Sequence, residues 1–326
     1  MPTHGPLGLS STALTALRNL APPPDQLIVV TDSPLTPGDQ EVLPASTVLV
    51  HVPFRSGPAI ARNHGAFLAT TDLLLFVDSD VVVRPDLIQR VRSIFDDNPG
   101  LSAAFGSYDA NPGDPGFLSQ YRNLLHHYVH QQGKERASTF WAGLGAIRVD
   151  AFRAMNGFDT SYAVPSIEDI ELGCRLTAAG YTIRLVKDLQ AQHLKRWTAI
   201  QMLRTDLLCR GIPWTRLVLS RSGLINDLSL DRIARLSTLA CGVGLASLAV
   251  VPRFPIALAA ASAALAFLIA MNHRFYAFLS RIRGLGFALR AIPWHALFYT
   301  VCGFAALFGA ILHCESRLLG PRQSQS

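Results

Sequence analysis

Leu73-Leu74-Leu75-Phe76-Val77-Asp78-Ser79-Asp80 is the stretch on which the reading of this chain turns. Five apolar residues in a row, too few for a buried helix and closed by turn residues, predict a strand covered on both faces, as in an α/β sheet. The chain then becomes acidic at once. In open α/β sheets ligands bind beyond the carboxyl ends of the strands. Asp78 and Asp80 fall there, and so does Asp32, which follows the apolar run Leu27-Ile28-Val29-Val30-Thr31. Two carboxylates two positions apart on such a turn can hold a hard cation, Mg²⁺ or Mn²⁺, that neutralises a diphosphate. The plain alternative is a turn whose side chains bond their own backbone.

Outward from this strand the pattern alternates. Leu14, Leu17 and Leu20 share a helical face behind a cap at Ser10 or Ser11, residues 47–52 form a second strand, and residues 57–69 a helix. Pro85 suits the first turn of a helix whose Leu87, Ile88, Val91 and Ile94 face a sheet. Ser166 caps a helix ended by Gly180, and residues 181–186 read as another strand. Residues 1–8 hold too much Pro and Gly for a buried strand, so the chain is expected to enter at its first helix. Residues 1–215 thus form an α/β domain with a mixed sheet.

The composition shifts beyond it. The 326 residues are 49% hydrophobic and 16% charged, which excludes a disordered or highly charged chain. Three uncharged stretches, 236–252, 254–272 and 291–314, approach the roughly 20 residues that cross a bilayer core of about 30 Å. Residues 216–326 therefore read as an interfacial helix followed by three transmembrane helices. Arg274, Arg281, Arg283 and Arg290, set among Phe275, Tyr276, Phe278 and Leu279, make the last connection a basic amphipathic segment. The positive-inside bias places that loop and the N-terminal domain in the cytoplasm, and the opening residues do not resemble a signal peptide. A formal charge of +6 is accounted for by these membrane-side arginines, without nucleic acid. Five cysteines without a Cys-x-x-Cys pair argue for reduced thiols, not disulfides or structural zinc.

Val30-Thr31-Asp32, then Gly57-Pro58-Ala59-Ile60-Ala61-Arg62-Asn63, then Phe76-Val77-Asp78-Ser79-Asp80 resemble the nucleotide-binding half of a family 2 glycosyltransferase of GT-A fold. Gly145-Ala146, Asn156-Gly157-Phe158-Asp159, Glu168-Asp169 and His193-Leu194-Lys195-Arg196-Trp197 are similar to its acceptor half in order and spacing. The resemblance implies metal-dependent transfer of a sugar from a nucleoside-diphosphate donor, with inversion. It also implies a first strand beside the Asp78 strand, which this chain lacks. On that likeness Asp32, Arg55, Arg62, Asn63, Asp78 and Ser79 bind the donor, and Asp80, Asp78 and His193 hold the metal. The plain alternative for Arg62 is a solvated helix face.

Inverting transfer needs a carboxylate to take the proton of the acceptor hydroxyl as its oxygen attacks. The likeness gives that part to Asp169, while Ser166-Ile167-Glu168-Asp169 also fits a capping box that would engage the same carboxylate. Glu168, Trp141, Gly145, Arg196 and Trp197 would contact the acceptor. The mixture of arginines and apolar residues after Trp197, including Arg204, Arg210, Trp214 and Arg216, favours a lipid or membrane-associated acceptor, as in glycolipid or cell-envelope biosynthesis. The rival reading is an inactive membrane protein that keeps the fold as a scaffold or binding partner.

Overall fold

The computed structural model describes residues 1–3, 9–36, 38–52, 57–220 and 232–318. The chain divides into two compact units, Met1–Arg196 and Trp197–Ser326.

The strands of the first unit are β1 (Pro2–Thr3), β2 (Leu27–Thr31), β3 (Thr47–His51), β4 (Leu73–Val77), β5 (Val81–Val82), β6 (Ala103–Tyr108), β7 (Arg136–Ala137), β8 (Leu144–Arg148) and β9 (Ile183–His193). Its helices are α1 (Ser11–Arg18), α2 (Asp39–Val42), α3 (Gly57–Leu68), α4 (Leu87–Asp96), α5 (Phe117–Gln132), α6 (Val149–Ala154) and α7 (Glu168–Ala178). A parallel sheet runs β1-β2-β3, and a mixed sheet runs β4-β8-β6-β9-β5 with β7 against β9. Strand β8 lies antiparallel to both β4 and β6, whereas β6 and β9 are parallel. Among the described residues β4 pairs with β8 alone.

Several expectations need correction. Residues 1–8 do contribute a strand, of two residues, with Pro2 and Thr3 opposite Val30 and Thr31. Pro2 is tolerated because it opens an edge strand, where no ladder bond needs its missing N–H. Pro85 precedes helix α4, whose N-cap is Asp86. The helix after Ser166 starts behind Ile167 without a side-chain cap. Strand β9 runs on to His193 although residues 187–192 are largely polar, because Leu189, Ala191 and His193 alternate inward with Asp188, Gln190 and Gln192.

The core of this unit packs Leu87, Ile88, Val91 and Phe95 of α4 against Val77, Val81, Leu144, Ala146 and Leu189. Each such large side chain contributes about 1.5–3 kcal/mol relative to an exposed one. Ser10 caps α1 by accepting the Ala13 amide at 3.1 Å, as its position before an apolar face predicted.

The second unit comprises α8 (Ala199–Arg204), a π-helical turn (Thr205–Gly211), α9 (Ile212–Ser220), α10 (Arg232–Val250), α11 (Ala257–Met271), α12 (His273–Arg283) and α13 (Leu285–Leu318). Among the described residues, helices α10 and α13 are long and apolar enough to cross a membrane, and α11 with α12, bent by 65°, makes up to three spans. Alone, the 15 residues of α11 reach only about 22 Å. Its expected length is cut because residues 254–256 belong to the connecting turn. Helix α12 buries Phe275, Tyr276 and Leu279 and leaves Arg274 and Arg281 exposed, the amphipathic division expected of it. No disulfide joins the five cysteines.

Candidate active site

Helix α3 begins at Gly57, whose φ of +75° favours glycine and where a Cβ would also run into the Ala163 carbonyl. It delivers Arg62 and Asn63 side by side. Arg62 is 7% exposed, which excludes the solvated-face reading. Its Nη2 donates to Asp78 Oδ1 and its Nη1 to Glu168 Oε1, both at 2.7 Å, and the guanidinium lies over the Phe158 ring at 5.6 Å. Burial opposes its charge, but Asp78, Glu168 and Asp169 together keep it protonated. Asn63 donates to the Phe158 carbonyl and accepts the Phe158 amide, each at 2.8 Å. It thereby closes the turn in which Asn156 and Gly157 adopt φ of 55° and 70°.

Asp78 leaves β4 with its amide donating to the Gly143 carbonyl at 3.2 Å. Its carboxyl is pushed above the usual range, chiefly by burial and against the pull of Arg62. Asp80 is treated oppositely. Burial would raise it, yet His193 and then Lys195 hold it below the usual range. His193 Nε2 lies 3.4 Å from Asp80 Oδ2, and the backbone fixes that proximity. Val81 pairs with His193 across β5 and β9, and the Leu194 amide donates to the Asp80 carbonyl at 2.8 Å. The three expected metal ligands do not form one cluster. Asp78 turns to Arg62, and among the described residues no group of three acidic, His or Cys side chains could hold an ion unaided.

Asp169 is half-buried at the start of α7. Its Oδ2 accepts the Ala142 amide at 3.0 Å and its Oδ1 the Ile170 amide at 2.8 Å. Burial, then the neighbouring Glu168, pushes its pKa up to about 6, against Arg62 and those two amides. The capping box is not formed, since the Ser166 amide donates to Glu168 Oε2 at 2.9 Å and no side chain caps the helix.

The other expected residues are scattered. Asp32 follows β2 in the smaller sheet, and Ser79 sits half-buried between its acidic neighbours. Arg55 lies outside the described residues. Gly145 is inside β8 opposite Phe76, where a Cβ would meet the Trp141 carbonyl and the Phe140 ring, so its smallness serves packing. Trp141 rests its indole against Gly143, whose carbonyl receives the Asp78 amide. Arg196 is exposed at the end of the first unit, and Trp197 opens the second.

Sequence reasoning passed over Tyr108. Its ring stacks on His193 at 4.0 Å and 9°, and meets Trp141 edge-on at 4.8 Å. Helix α5 supports it, with His127 Nδ1 2.7 Å from the Tyr108 carbonyl and the His126 ring 4.5 Å from the Tyr108 ring. The aim of Tyr108 is set by a register shift between Phe105 and Ser107, where Gly106 approaches the Leu189 carbonyl too closely for any Cβ. The signal was present: Tyr108 ends a strand that runs into Asp109, as the strands before Asp32 and Asp78 do.

Residues 9–156 match the model of glycosyl transferase family 2, and residues 122–199 match that of the N-terminal domain of galactosyltransferase. The pre-mycofactocin glycosyltransferases of Mycobacterium tuberculosis strains CDC 1551/Oshkosh and ATCC 25618/H37Rv are each 29% identical over 202 residues, 57% of this chain and 41% of theirs. The match thus spans less than half the length of these curated relatives. The mannosyltransferase of Pyrobaculum calidifontis, solved with GDP-Man and Mn²⁺, superposes with a TM-score of 0.53 at 16% identity, over 96% of this chain and 85% of that one. At such identity the likeness speaks for the fold alone. The mixed sheet, with the acidic turn after β4 and the Glu168-Asp169 helix start, has a GT-A-like fold, and residues 9–156 are similar to the family 2 glycosyltransferases.

Proposed function

We propose that the protein is an inverting, divalent-metal-dependent glycosyltransferase. It moves a sugar from a nucleoside-diphosphate donor to a lipid or membrane-associated acceptor at the cytoplasmic face of the cell membrane. The observation that carries this reading is the gathering of Asp78, Arg62, Glu168 and the partly exposed Asp169, from three separate stretches of chain. A carboxylate with a pKa near 6 is ionised at neutral pH and more basic than an ordinary Asp, which suits a general base.

The residues present fit a divalent ion. Asp80 and His193 offer a carboxylate oxygen and an imidazole nitrogen 3.4 Å apart, with the Asp78 carboxylate two residues away. Two protein ligands suffice where substrate phosphates and water complete the shell. Such an ion would neutralise charge developing on the diphosphate leaving group. Mn²⁺ with GDP-Man in the Pyrobaculum mannosyltransferase agrees with this donor chemistry. Two or three apolar helices in the same chain favour an acceptor held in the membrane.

A panel of nucleotide sugars scored for nucleotide release in lipid, with and without Mn²⁺, tests the reading. We expect turnover that chelation abolishes, and an Asp169→Asn rate lower by about 10²–10⁴-fold. The base acts when ionised, so the rate should climb as pH rises through about 6. A parent inert with every donor would instead leave a scaffold with a transferase fold.

A further inference from the structure

We propose that Arg62 and Glu168 are positioning residues: one buried guanidinium clamps the turn after β4 to the start of α7, and so sets where Asp169 stands relative to Asp78 and Asp80. This deepens the assignment of Asp169 as the base and rests on it.

Glu168 is separated from Arg62 by 106 residues of chain, yet their bond is buried at 2.7 Å with both side chains 5% exposed. Both Glu168 oxygens are engaged inside the protein, Oε1 by Arg62 and Oε2 by the Ser166 amide. A residue so enclosed is poorly placed to bind an acceptor hydroxyl, which removes the acceptor role that its position beside Asp169 suggested. Arg62 is fixed from a third direction by Phe158, in the turn that Asn63 closes. A planar fork held by two carboxylates on separate elements defines both distance and angle, which a single point charge does not. The clamp also joins the electrostatics of the two halves. The charged groups facing Asp169 are Glu168, which disfavours its ionisation, and Arg62, which favours it.

Two variants separate positioning from contact. Glu168→Gln keeps the shape but removes one negative charge beside Asp169. Arg62→Lys keeps the charge but loses the fork. With whichever donor the panel identifies, we expect both to lower kcat by about 10–100-fold, as small misplacements of a reacting group do, while the acceptor KM stays within about twofold. In Glu168→Gln the acid limb of the rate profile should move to lower pH, and in Arg62→Lys it should stay. An acceptor KM that rose with kcat and limb unchanged would make Glu168 a substrate contact and overturn the proposal.

Thermal melts across pH supply a readout without substrate. A carboxyl raised from 3.8 to about 6 holds its proton more tightly when folded, so its contribution to stability is present below the lower value and lost as pH rises to the upper. Asp169→Asn should remove that step, and Glu168→Gln should move it to lower pH. A step that Glu168→Gln leaves in place contradicts the coupling. If no donor is turned over, the catalytic reading fails while the melts still decide whether the clamp sets the Asp169 charge.

Discussion

Asn63 shows how a residue can be found for one reason and matter for another. Its place after Arg62 marked it as lining a donor pocket. In the fold both ends of its amide bond the Phe158 backbone across 95 residues of chain. An Asn63→Leu side chain of similar size would leave the Phe158 amide and carbonyl unmatched. We expect a loss of about 1–3 kcal/mol of stability by denaturant titration, and a melting point unchanged from the parent would contradict the structural role. Asp169 drew attention in the sequence because its place in the chain resembles a family pattern, and its role as base is the proposal made above. Its surroundings were not legible, because the capping box depends on four consecutive residues, whereas Arg62 and Ala142 reach Asp169 only through the tertiary fold.

Strands 27–31 and 73–77 were readable to the residue because both are continuous apolar runs closed by polar turns. Strand β9 was readable only for its first half. Beyond Val186 its outward positions are charged or amide side chains, and the alternation shows only once burial is known. That unread half presents His193 to Asp80 on one side and to the Tyr108 ring on the other. A stacked ring limits how the imidazole can turn, and groups that orient a metal ligand typically change metal affinity by 10–100-fold when lost. Tyr108→Ala should therefore weaken Mn²⁺ binding, followed by titration calorimetry with the nucleoside diphosphate present, by about tenfold or more, while Tyr108→Phe should retain it. Equal affinity in Tyr108→Ala and parent would exclude the orienting role.

The chain as a whole pairs an α/β unit that gathers charge with a helical unit that hides polar groups among apolar ones. Hydropathy along the sequence counted three apolar stretches, but it could not show the 65° bend where the second meets the basic segment after it, because polar contacts across helices are not visible in hydropathy. Asn272 sits at the break between α11 and α12, buried at 6% exposure. Its Nδ2 donates to Ser237 Oγ of α10 at 2.9 Å, and its Oδ1 accepts from the Tyr299 hydroxyl of α13 at 3.3 Å. A second buried pair, the Tyr276 hydroxyl and His295 Nδ1 at 3.1 Å, ties α12 to α13. A bilayer core offers neither partner water to fall back on, although measured interhelical bonds are modest, at about 0.6–2 kcal/mol each. Asn272→Leu removes the two interhelical bonds at once while preserving size. The helical unit should then lose about 1–3 kcal/mol in unfolding by SDS in mixed micelles, with Ser237→Ala losing the smaller share because Tyr299 still holds the amide. If Asn272→Leu proved as stable as the parent, the bend would have to be held by apolar packing and not by the amide.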